Sequence, residues 1–142
     1  MALLLLLQAC SADRAQQASA ASLQVAGDGY FRLPVAGRSV SSAYLTLHNR
    51  SGRAQVLTGF SSAQVRAIEM HRTVNVEGTM RMRRVPSYEL LPGQTLQMEP
   101  GGYHLMLFGL PEQLAASDKI TIELVLDSGD NVSATLAARR VR

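Results

Sequence analysis

From Leu23 onward, apolar and polar residues alternate in short runs, and each run stops at a cluster of Gly, Asn, Ser or Pro. A period of two places successive side chains on opposite faces, which is the mark of a half-buried strand. Ser42–His48 is the first clear run and ends at the turn residues Asn49–Gly52. Ala54–Phe60 and Val65–His71 read as the next two strands. Gly78 divides Val74–Val76 from Met80–Met82, which predicts a hairpin. Glu89–Gln94 reads as a turn, Thr95–Met98 as a short strand and Glu99–Gly102 as another turn, with Pro100 presetting φ and Gly101 free to take positive φ. Tyr103–Leu107, Ile120–Leu126 and Val132–Ala138 complete the strands, the last two joined by a turn at Ser128–Asn131. Only Pro111–Ser117 offers a helical stretch, of about two turns. About seven to nine short strands without a long 3.6-residue period predict an all-β antiparallel sandwich or barrel with at most one short helix.

The chain of 142 residues suits one such domain, assigned to 23–142. Residues 1–22 read differently. Met1 to Ala9 is a short apolar run ending in a small residue before Cys10. Leu7-Gln8-Ala9-Cys10 resembles the end of a bacterial lipoprotein signal, here without a basic leader, in which Cys10 carries the lipid. Ser11–Ser22 is small and polar, as a tether from a membrane to a folded domain would be. These features predict export to the periplasm with a possible lipid anchor at Cys10.

Composition narrows the function. Net charge is +3, with 14 Lys and Arg against 11 Asp and Glu, and Trp is absent. The excess is mild and lacks an aromatic stacking platform, so nucleic acid is not an expected partner. A single cysteine excludes a disulfide framework and multi-cysteine metal sites. No G-x-S-x-G, H-E-x-x-H, phosphate-binding loop or paired carboxylates are present, and an enzyme is not expected.

What stands out is the distribution of His and Met. Apart from Met1, every methionine lies between Met70 and Met106, as do two of the three histidines. His104 and Met106 are two apart in a predicted strand and share a face, while His71 and Met82 lie in neighbouring strands. Thioether sulfur is a soft, neutral donor for copper(I) and offers little to zinc, calcium or magnesium. It forms no disulfide and so suits an oxidising compartment. Two imidazoles and two thioethers would bind one copper(I) per chain without caging it.

The spacing of His71, Met82, His104 and Met106 is H-x10-M-x21-H-x-M. With Pro100–Leu110 and Ala43–Leu47 around it, this resembles the periplasmic copper chaperone family of PCu(A)C type, which serves the CuA centre of cytochrome c oxidase. The resemblance covers roughly residues 40 to 126. It implies a cupredoxin-like Greek-key β-sandwich and copper(I) held near the surface by His71, Met82, His104 and Met106. It also implies transfer to an apo-acceptor, either the CuA subunit of the oxidase or another periplasmic copper chaperone, by a monomer. The chain lacks the His- and Met-rich C-terminal tail of some relatives, so a second copper site is not implied.

Other residues have plainer readings. Met70 and Met98 read as core filler. Met80 shares a strand face with Met82 and can flank the site, and Glu69 shares the parity of His71 and can orient its imidazole. His48 and Tyr103 read as ordinary strand residues. Arg81, Arg83 and Arg84 form a solvated hairpin, or steer an acidic partner. A copper storage or resistance protein, or a metal-free structural sandwich, would share much of this pattern.

Overall fold

The computed structural model describes residues 23–140. Cys10 and the tether lie outside these residues. Ten strands follow one another: β1 Leu23–Arg32, β2 Val40–Asn49, β3 Gln55–Ser61, β4 Ala67–Val76, β5 Thr79–Arg84, β6 Tyr88–Leu90, β7 Thr95–Gln97, β8 Tyr103–Phe108, β9 Lys119–Leu126 and β10 Asn131–Arg139. They pair along one path, β5-β4-β8-β2-β1-β10-β9-β3-β6, with β7 beside the second half of β2. The path folds over on itself. Leu47, Leu105 and Leu107 from its first half and Leu57, Ile120, Ile122, Leu124 and Leu136 from its second half share one buried cluster. This is the all-β sandwich that the alternating runs predict, of the cupredoxin-like kind that the resemblance implies, with apolar residues of each strand pointing inward.

Three expectations need correction. The pairing is antiparallel except between β1 and β10, which run parallel. Parallel neighbours require a long connection, and here nearly the whole domain supplies it. The candidate helix at Pro111–Ser117 is absent; Asp118 instead closes a turn, accepting a hydrogen bond at its carboxylate from the Ala115 amide at 2.8 Å. Two turns of helix are too short to persist without packing, and only Leu114 of this stretch reaches the core. Finally, Glu89 and Leu90 belong to β6 rather than to a turn, because fully buried Leu90 anchors them beside β3. The turn itself is Leu91–Gln94.

Two turns fix the start of β8 and the tip of the β4–β5 hairpin. Glu99–Gly102 closes with the Gly102 amide donating to the Glu99 carbonyl at 3.0 Å, and Gly101 takes φ 85°, as the Pro-Gly pair predicts. It launches β8. At the β4–β5 tip, Glu77 and Gly78 both take positive φ (51° and 83°), the turn whose twist matches that of the flanking strands. The Asn75 side-chain oxygen accepts the Gly78 amide at 2.8 Å.

Candidate metal centre

In the β4–β8 pair, His71 lies directly opposite His104 and Glu69 opposite Met106. In the β4–β5 pair, Arg84 lies opposite His71 and Met82 opposite Thr73. Residues two apart share a face, so His71, Met82, His104 and Met106 all leave the same side of the sheet. Met82 is the diagonal neighbour of His71, a separation that a long side chain can span. The other side of these strands carries Ile68, Met70, Leu105 and Leu107 into the core. Strand alternation therefore separates polar chemistry from packing, residue by residue.

The two imidazoles are held in definite states. His71 Nε2 donates to the Glu69 carboxylate at 2.9 Å, which leaves Nδ1 as the lone-pair nitrogen. That nitrogen is buried and has no hydrogen-bond partner. His104 Nδ1 donates to the Gly102 carbonyl at 3.1 Å, which leaves its Nε2 as the free donor atom. The same carbonyl accepts the Thr73 amide at 3.1 Å and so ties the ring to β4. The ring centroids lie 6.0 Å apart, and two imidazoles at that separation can share one ion at nitrogen–metal distances of about 2 Å. A buried unpartnered nitrogen is costly unless something fills its valence. His71 Nδ1 is such an atom, a lone pair without a partner.

The surroundings complete the arrangement. Ser42 lies opposite Met106 on β2, and its hydroxyl donates to the Met106 sulfur at 3.8 Å. Tyr44 packs beyond His104, with centroids 6.4 Å apart. Glu69 also meets Arg84 Nε at 3.7 Å. The hydrogen bond from His71, aided by the Arg84 charge, holds the Glu69 carboxyl below its ordinary value against the opposing effect of burial. Exposure rises outward from 5% at His104 to 60% at Met82 and at Met80. Met80, opposite Asn75, lies one pleat further toward the hairpin tip on the same face. Met70 and Met98 are core residues, and His48 bonds Thr95 Oγ1 through Nδ1 at 2.7 Å, away from this cluster. Ser42 and Arg84 carry no sequence signal of involvement, since both come into place only through register.

The LpqE-like family model ("Putative lipoprotein LpqE-like") matches residues 25–138. The chain belongs to the LpqE-like family. Within the curated proteins, this LpqE-like chain is 32% identical over 95 residues to "Putative lipoprotein Lxx21020" of Leifsonia xyli subsp. xyli, covering 66% of the chain and 57% of that protein. It is also 32% identical over 90 residues to an uncharacterized protein of Rickettsia prowazekii, covering 63% of the chain and 50% of that protein. The chain thus spans about half the length of the curated relatives it matches. Its fold is that of the copper-bound PCuAC domain from PmoF2, with TM-score 0.69, 20% identity, and 86% and 96% of the two chains covered. The solution structure of CuI-DR1885 from Deinococcus radiodurans also shares it, with TM-score 0.58, 24% identity, and 89% and 85% covered.

Proposed function

We propose that this LpqE-like domain binds one copper(I) ion through His71 Nδ1, His104 Nε2, Met106 and Met82, and passes it to an acceptor outside the cytoplasm. The observation that carries the reading is the buried, unpartnered His71 Nδ1 beside the free nitrogen of His104 and the thioether of Met106. The donor set fits copper(I): two neutral imidazoles and two soft thioethers. Harder metals find less, since no three His, Cys, Asp or Glu among the described residues form a metal-holding group. The copper in the two solved structures of this fold supports the same reading.

Transfer follows from the graded exposure. Met82 lies on an exposed strand and can yield its place to an incoming donor. His104, nearly buried and tied to Gly102, releases last. Ligand exchange then proceeds without a free ion. The resemblance to the PCu(A)C type supports an acceptor such as the CuA subunit of cytochrome c oxidase or another periplasmic copper chaperone. The lipoprotein descriptions of the family and of one relative support an extracytoplasmic, lipid-anchored protein, with Cys10 as the acylated residue.

The test is copper(I) stoichiometry by competition with a chromogenic chelator under anaerobic, reducing conditions. One tight equivalent is expected for the wild type, weakened in Met82→Leu and in His104→Ala. Identical retention in all three proteins, or none in any, would overturn the site.

A further inference from the structure

β5 ends the strand path: β4 pairs with one edge, and among the described residues the other edge is unpaired. All six of its residues are exposed. On the face opposite the candidate metal centre, Arg83 stands directly across from Arg72, and Arg81 follows two residues on. Like charges in direct cross-strand opposition destabilise a sheet. Among the described residues none of these three arginines forms an ion pair, and the acidic side chain of β4, Glu69, points to the other face, where it engages His71 and Arg84. Arg84 therefore belongs to the metal side, and Arg72 takes its place in the basic cluster. Arg72 is also held: its Nη1 donates to the Tyr103 hydroxyl at 3.4 Å, and its guanidinium lies 5.7 Å from that ring. Tyr103 is itself fixed edge-on against Tyr88, with centroids 5.2 Å apart. Uncompensated like charges, two on the edge strand and one held beside it on β4, gain most when anions arrive from outside.

We propose that the free edge of the β4–β5 hairpin docks an acidic protein surface, whose carboxylates meet Arg72, Arg81 and Arg83 while a donor of that protein reaches Met82. The choice of a protein that brings a metal donor rests on the function proposed above; the preference of this edge for anions stands without it. A protein fits better than an anionic lipid surface. The same edge carries the exposed thioethers of Met80 and Met82, and a lipid surface laid on it would cover the atoms that must exchange. Edge arginines also serve simply to deter strand addition. That role is indifferent to the sign of the charge, whereas docking is not.

The experiment uses the full chain and two labelled peptides with an identical Met- and His-containing core, flanked by glutamates in one and lysines in the other. Anisotropy with copper-free protein at low salt should show the glutamate peptide bound about tenfold tighter. The preference should vanish in Arg81→Glu/Arg83→Glu and at about 0.5 M salt, where screening is strong. With copper(I) loaded, the same variant should keep its copper affinity within about threefold but transfer to the glutamate peptide about tenfold more slowly. Equal binding of the two peptides, or a preference that survives charge reversal, would refute the docking surface. So would tighter binding to phosphatidylglycerol vesicles than to the glutamate peptide. A wild type that binds no copper(I) yet keeps the peptide preference would sink the proposed function and leave the docking surface standing.

Discussion

Met82 and His104 stand at opposite ends of the exposure gradient, so substituting them separates loss of a proposed ligand from damage to the fold. Met82→Leu should change unfolding free energy by less than about 0.5 kcal/mol, as exposed substitutions do, yet weaken copper(I) affinity severalfold or more. His104→Ala should weaken copper(I) as well and cost about 1–3 kcal/mol of stability, since it empties a buried position and removes the tie to Gly102. Chemical denaturation alongside chelator competition checks both. Glu69 acts through His71, whose Nε2 it holds. Glu69→Ala should lower copper(I) affinity about 10–100-fold, and Glu69→Gln, which keeps an acceptor oxygen, by clearly less. Equal losses in the two variants would show that charge, not orientation of the ring, is what Glu69 contributes.

The hairpin and the turn after β2 carry the testable strain and anchorage at the scale of elements. Glu77 takes a conformation that suits Asn or Gly, so Glu77→Asn should stabilise the domain by up to about 1 kcal/mol in thermal or urea unfolding. Asn49 is fully buried. Its amide nitrogen donates to the carbonyls of Arg53 (2.8 Å) and Leu90 (2.9 Å), and its side-chain oxygen accepts from the Ser51 amide and hydroxyl. Asn49→Ala should cost about 2–4 kcal/mol, because several buried groups lose partners at once. Most strands are legible in the sequence because each is half-buried and shows its period. β1 is harder to delimit, because a bulge between Ala26 and Tyr30 interrupts its alternation. β6 is masked by its flanking turn. The four candidate donors are legible through rare chemistry at fixed spacing. Their helpers Ser42 and Arg84 are not, because cross-strand neighbours depend on pairing that a sequence does not display.

For the whole molecule, a ligand that binds only the folded state raises stability by mass action. Copper(I) buffered at about a hundred times its dissociation constant should add about 2.7 kcal/mol, and the gain should be absent in His104→Ala. Calorimetry under reducing conditions reads it directly. The opposition of His71 and His104 has a further consequence for assembly of the fold. Side chains alternate, so a slip of β4 against β8 by one residue would turn His71 inward, bring Met70 out in its place and part the two imidazoles. Donors divided between two strands can be joined by one ion only when those strands are correctly aligned. On the proposed function, capture of the metal would thereby act as proofreading: a misthreaded chain would stay empty, and only a properly assembled one would take up the ion.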